Sequence, residues 1–193
     1  MNNSLPKFTN LKPKKEVEDK ENNIAFSNNH IKVINFEDWT FVKESDMVVC
    51  IVYLVETNQI ILRHEYIPTF KYRDGQDFHV TVLSGGIEQG ESPERAILRE
   101  IEEEAGIVID PDYKVEFMKP LFVSKGNSAK YHPCIIQLTE RQYHEVIAKG
   151  DGSEAEKKSQ SVKVDVRYLN SLNASDLITE YMIGQMKDYL NIQ

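Results

Sequence analysis

The chain has 193 residues, 40% of them hydrophobic, enough for one domain with a proper core. Its 23 basic and 31 acidic side chains give a formal net charge of −8, a field that repels nucleic acid and anionic membrane surfaces and argues against both as partners. If the ligand is itself an anion, such a protein needs bound cations or a local basic patch to offset the repulsion, so divalent metal is expected.

Residues 1–29 are polar with mixed charge and read as a flexible N-terminal arm; they lack the apolar run of a signal peptide, and a cytoplasmic protein is expected. Within residues 30–45 the segments IKVINF and WTFVKE alternate well enough to predict a strand pair, broken at Glu37-Asp38 and forming a short N-terminal β extension. Residues 46–193 then form the main domain. Its first segment, Met47 to Val55, is the longest apolar run and is less than half the roughly 20 residues of a membrane helix. It reads instead as a deeply buried strand, joined through Glu56-Thr57-Asn58-Gln59 to IILRHEYI. Cys50 and Cys134 sit in apolar stretches without CxxC spacing, the pattern of reduced core thiols.

DFHVTVLS, residues 77–84, predicts a further strand, followed by a glycine-bearing loop. A helix is predicted over 93–105: Ser92 can cap it, Pro93 suits its first position, and Gly106 suits the left-handed residue after its last turn. Strands over 114–124 and 130–139 follow, then a polar surface loop, AKGDGSEAEKKSQS. After the strand VKVDVRYL, Ser175 is the expected cap of a last helix with apolar residues at three- and four-residue spacing. Many strands with few helices predict an α+β fold, a mixed β-sheet with helices packed on its faces.

The chemistry is concentrated in Gly85 to Ile107, GGIEQGESPERAILREIEEEAGI. On a helix, Glu100, Glu103 and Glu104 fall on one flank, while Ala96, Ile97, Ile101 and Ala105 fall on the opposite, core-facing flank. Like charges at this spacing repel by a few tenths of a kcal/mol per pair, roughly, and a hard cation such as Mg²⁺, which prefers carboxylate, water and phosphate oxygens, removes the penalty. Gly85, Gly86 and Gly90 let the backbone bend and approach a phosphate or metal. Arg99 can reach Glu91, Glu102 or Glu103 and hold a carboxylate with two bonds.

This stretch resembles the Nudix box: Gly, five residues, Glu, seven residues, then Arg-Glu-apolar-any-Glu-Glu-any-Gly-apolar, met at Gly85, Glu91, Arg99, Glu100, Ile101, Glu103, Glu104, Gly106 and Ile107. The resemblance implies a Nudix-type α/β/α sandwich and a hydrolase that cuts a phosphoanhydride bond. It implies Mg²⁺, with Mn²⁺ as a substitute, held by Glu100 and Glu104, with Glu103 a further ligand or metal-site base and the carbonyl of Ser84 an additional ligand. The flanks are similar to the ADP-ribose and nucleoside-diphosphate-sugar pyrophosphatases, which implies a small nucleoside-diphosphate substrate and a homodimer. By that resemblance Trp39, the only tryptophan, is a candidate base-stacking platform; the alternative is a core or dimer-contact aromatic. The family's late catalytic glutamate matches Glu154 or Glu156 in GDGSEAEKK.

Two departures bear on the substrate. Ile67 stands after Tyr66 where many of these enzymes have arginine, which passes a phosphate-binding role to Arg63 or Arg73. Lys125-Gly126 replaces a proline-glycine turn, and Lys125 and Lys130 are candidate phosphate contacts or ordinary loop lysines. A nucleotide-sugar sensor that does not hydrolyse, and an isomerase acting on an isoprenyl diphosphate, are the rival readings.

Overall fold

In the strand Met47–Leu54 the residues Val48 to Val52 are all fully buried, because the strand is covered on both faces and has no solvent side to alternate toward. The computed structural model describes residues 23–192. Strands β1 (Ile24–Ser27), β2 (Lys32–Phe36) and β3 (Trp39–Lys43) form a separate antiparallel sheet in the order β1-β2-β3. The larger sheet is built from β4 (Met47–Leu54), β5 (Gln59–Tyr66), β6 (Phe78–Thr81) and β7 (Leu83–Gly86), with β9 (Lys114–Phe117), β10 (Leu121–Phe122), β11 (Lys130–Leu138) and β13 (Gln160–Asp165). Two short strands, β8 (Ile107–Ile109) and β12 (Tyr143–Glu145), pair with each other. The helices are α1 (Pro68–Asp74), α2 (Pro93–Ala105) and α3 (Leu177–Leu190).

Alternation along β4 assigns its two faces. Val48, Cys50 and Val52 join Cys134, Ile136 and Leu138 of β11 in packing on Ala96, Ile97 and Ile101 of α2. Val49 and Ile51, with Ile135, pack instead on Met182, Ile183 and Met186 of α3. The result is a mixed sheet, with β4 and β11 parallel and β4 and β5 antiparallel, between helices on both faces: the expected α/β/α sandwich. Cys50 and Cys134 stand opposite each other in the β4–β11 register as buried free thiols, as read from their apolar surroundings.

Several local expectations are corrected. The segment expected to be an arm, 1–29, contains strand β1; Asn28 caps the turn into β2, its Oδ1 accepting from the backbone N–H groups of His30 and Ile31 at 2.8 Å. Residues 1–22 lie outside the described residues. The single strand over 77–84 is two strands, because the chain changes partners at Val82: β6 pairs with β5, whereas β7 pairs with β4. Gly85 and Gly86, read as loop, are ladder residues of β7, opposite Val48 and Met47. The strand over 114–124 breaks between β9 and β10, where Pro120 offers no backbone donor. The cap of α3 is Asp176, whose carboxylate accepts from Thr179 N at 2.8 Å, while Ser175 contacts His79 Nδ1 at 2.7 Å. Helix α1 was unforeseen; Pro68 opens it and Gly75, at φ 76°, closes it.

The change of partner at Val82 also sets the site. Strands β4 and β5 pair only over Val52–Leu54 and Gln59–Ile61, and then diverge to admit β7 beside β4 and β6 beside β5. The helix that follows β7 packs against β7 and β4.

Candidate active site

The capping residues of α2 act as the sequence predicts. Ser92 Oγ accepts from Arg95 N at 3.3 Å, and Gly106 leaves the helix at φ 63° with its N–H on the carbonyl of Glu102. With Ala96, Ile97 and Ile101 locked into the core, helical geometry turns Glu100, Glu103 and Glu104 toward β7 and the loop 146–159. They line a pocket of about 420 Å³ together with Ser84, Gly85 and Gly86 of β7 and Glu156 of the loop.

Two arginines organise these carboxylates. Arg99 holds Glu91 with two bonds, Nε to Oε1 at 3.2 Å and Nη2 to Oε2 at 3.0 Å, and also reaches Glu100 at 2.6 Å, Glu103 at 3.2 Å and the carbonyl of Gly86 at 2.8 Å. It ties strand, loop and helix together; of its expected partners, Glu91 and Glu103 are met, and Glu100 and the Gly86 carbonyl are added. Arg63, 1% exposed, lies two residues beyond Ile61 on the α2 face of β5. Its Nη2 donates to both oxygens of Glu156 at 3.1 and 3.0 Å, and its Nε stands 3.3 Å from Glu104 Oε1 as an ion pair without hydrogen-bond alignment. Glu104 Oε2 accepts from Ser84 N at 3.0 Å.

The carboxylates pay for their crowding in proton affinity. Burial pushes the Glu100 carboxyl up to about 7, against the pull of Arg99 and with added repulsion from Glu103 and Glu156. Burial likewise holds Glu104 well above the ordinary carboxylate range, although Arg63 and the Ser84 N–H oppose it. Glu91, bonded to Arg99, is held below that range.

The donor chemistry fits a hard divalent cation: six carboxylates, two of them with raised proton affinity, share one pocket with a strand backbone. Gly85 completes the cradle, since a β-carbon there would overlap the Glu100 carboxyl, so only glycine lets that carboxyl lie against the strand. Among the described residues no three acidic, histidine or cysteine side chains are already arranged as a ligand shell; Arg63 and Arg99 supply the positive charge that the carboxylates face.

Other predicted residues divide clearly. Glu156 lines the pocket, whereas Glu154 is 81% exposed and paired with Lys157 at 2.7 Å. Arg73 is exposed in the last turn of α1 and takes no part in the pocket wall. Arg63 belongs to the site, but its guanidinium is engaged by Glu104 and Glu156 and does not face a free surface, which corrects its expected role as a phosphate contact. Trp39 is 59% exposed, which removes the core reading; it shares a second pocket, also about 420 Å³, with Phe122 and Lys125. The loop bearing Lys125 is pinned to β3 by Val42 N to Gly126 O at 2.8 Å and Ser128 N to Val42 O at 2.9 Å. Lys130 Nζ lies over the Phe122 ring. Sequence reasoning missed His30, Glu88 and Asp151, which also line the acidic pocket. Asp151 lies in the loop already singled out for its glutamates, whereas the entry of His30 depends on the β1–β2 turn.

Sandwich, glycine-bearing strand and glutamate helix together define the class of the protein as a Nudix pyrophosphohydrolase. The chain belongs to that family: the NUDIX domain matches residues 45–166. A solved structure described as an ADP compounds hydrolase is similar at 16% identity, over 87% of this chain and 90% of that one, with a TM-score of 0.61, a likeness of fold. Another, from a study of MutT from the fish pathogen Aliivibrio salmonicida and from Vibrio cholerae, shares 20% identity over 72% of this chain and 97% of that one, with a TM-score of 0.48. No curated protein matches the chain. Among the described residues no helix is long and apolar enough to cross a membrane.

Proposed function

We propose that the protein hydrolyses a phosphoanhydride bond in a nucleoside-diphosphate-linked compound, ADP-ribose or a nucleoside-diphosphate sugar, and releases a nucleoside monophosphate and a phosphorylated sugar. It uses Mg²⁺, for which Mn²⁺ substitutes. The observation that carries this reading is the meeting of Glu100, Glu103 and Glu104 from one helix with Glu156 from a distant loop in a single pocket. A bound divalent cation supplies charge neutralisation for the diphosphate and a water of lowered pKa.

Glu100, Glu103 and Glu104 would hold that cation, with the carbonyl of Ser84. Arg99 keeps Glu91, Glu100 and Glu103 in register with β7. Glu156 orients the attacking water and accepts its proton at a carboxylate oxygen. Trp39 and Phe122, both largely exposed and sharing one pocket, stack on the base, and Lys125 beside them meets a phosphate. Residues 46–193 form the catalytic domain and 30–45 the extension that brings Trp39 to the substrate. The exposed aromatics Phe26, Phe36 and Trp39 on the N-terminal sheet support a homodimer, and the protein acts in the cytoplasm without nucleic-acid or membrane partners.

The test is a panel of ADP-ribose, GDP-mannose, UDP-glucose, NADH and diadenosine polyphosphates, each incubated with Mg²⁺ and followed by product analysis. Nucleoside monophosphate should appear from at least one of the first three. Glu104→Gln should slow its release by at least about 100-fold. Failure of the wild type to release monophosphate from any of them refutes the reading.

A further inference from the structure

A guanidinium on the inner face of a sheet is costly unless its charge is met on every side. The neighbours of Arg63 along β5, Ile60, Ile61 and Leu62, are all core residues, and Ile61, which shares its face, packs into the cluster under α2. An apolar side chain would continue that cluster. Arg63 instead spends its donors on two elements 52 residues apart in sequence, Glu104 at the end of α2 and Glu156 in the loop before β13. Its Nη1 also approaches the carbonyl of Glu104 at 3.4 Å, and Ser161, its partner across the β5–β13 ladder, donates to the same carbonyl at 2.9 Å.

The loop itself is fastened by main-chain bonds on its first half and by a serine hydroxyl at its far end. Val146 N donates to Gly106 O at 2.7 Å and Gly150 N to Glu103 O at 2.9 Å, while Ser159 Oγ accepts from Tyr66 N at 3.0 Å. Between those anchors a single 3₁₀ turn, Glu156–Lys158, presents Glu156 inward, and Arg63 is what that carboxylate meets. Gly150, at φ 59°, brings the loop backbone against the Glu156 side chain from the other side.

We propose that Arg63 is a positioning residue for the reaction: by holding Glu104 and Glu156 on one buried guanidinium, it sets where the loop carboxylate stands relative to the α2 carboxylates and keeps loop 146–159 closed on the pocket. The role rests on the α2 carboxylates being the working centre. It requires the planar fork of arginine, because the ammonium of lysine is a point charge that cannot hold both oxygens of Glu156 while reaching Glu104.

The experiment uses full-length wild type, Arg63→Lys, Glu156→Gln and the double variant. Hydrogen exchange of residues 148–160 is followed by mass spectrometry in EDTA, and kcat and KM are measured with Mg²⁺ on the panel compound that the wild type turns over fastest. Arg63→Lys should speed exchange in the loop by at least about tenfold while peptides of β4 and β11 keep their protection. It should lower kcat by about 100-fold with KM changed by less than about threefold, and the loss in the double variant should fall well short of the product of the two single losses. Unchanged loop exchange in Arg63→Lys, or multiplicative losses in the double variant, overturns the proposal. If Arg63→Lys does not fold, Glu156→Ala decides: it removes both acceptor oxygens of the Arg63–Glu156 contact while Arg63 keeps Glu104, and an unloosened loop there overturns the proposal equally. A Mn²⁺ titration of the wild type separates the two readings, since absence of binding defeats the metal centre and leaves the exchange result to judge the tether.

Discussion

Replacing Gly85 with alanine should separate the stability of this fold from the function of its site. Gly85 is a ladder residue of β7 with no left-handed backbone requirement, so alanine is admissible there and even lowers the entropy of the unfolded chain. The new β-carbon would overlap the Glu100 carboxyl, the far end of a flexible side chain, which has to withdraw by roughly 1.5 Å to regain ordinary contact. The fold therefore changes by no more than about 1 kcal/mol, or roughly 2–4 °C in Tm for a domain of this size. A displacement of that size at a working carboxylate costs about 100-fold in rate, and loss of ligand support costs about 10–100-fold in metal affinity. Thermal denaturation in EDTA and Mn²⁺ binding followed by electron paramagnetic resonance measure the two sides. Mn²⁺ affinity within twofold of wild type, or a fall in Tm beyond about 10 °C, would refute the reasoning.

Three further outcomes follow from the same geometry. Because the folded state holds Glu100 at about 7 against 4.5 when unperturbed, it binds more protons than the unfolded chain between those values, so metal-free stability should rise as pH falls from about 8 toward 5. Glu100→Gln should flatten that slope in Tm measured in EDTA, and an identical slope in both proteins would count against the buried carboxylate. Trp39→Ala should raise KM by about tenfold or more with kcat and Tm nearly unchanged, since the ring is exposed and its expected work is stacking; steady-state kinetics and a melting curve decide. Glu156→Gln should lower kcat by about 100-fold, whereas Glu154→Gln, at an exposed position paired only with Lys157, should not; equal effects would contradict the assignment.

How much of this was legible in the sequence depends on the distance over which each residue finds its partners. Helix α2 was readable to the residue because its cap, first-position proline, apolar stripe and terminal glycine are all local, and the same locality exposed the carboxylate flank. Arg63 was noticed as a cation but given the wrong partner: nothing near it in sequence reveals that Glu156, 93 positions away, lies across the sheet from it. Glu154 and Glu156 are equivalent as loop acids, and only the 3₁₀ turn that points Glu156 inward tells them apart. The division of 77–84 into two strands escaped notice because Phe78, Val80 and Val82 alternate up to the change of pairing partner and Leu83 continues the apolar run, so no turn residue marks the break. His30 required knowledge of where the β1–β2 turn comes to rest, a tertiary fact with no local signature.

The account stands on whether the acid flank of α2 grips a divalent cation, and crystals soaked in Mn²⁺ test this most directly. Anomalous difference density should appear about 2.0–2.2 Å from carboxylate oxygens of Glu100 and Glu104, with Arg99 still on Glu91. A site without such density, its glutamates still bound to Arg63 and Arg99 at saturating Mn²⁺, would contradict it.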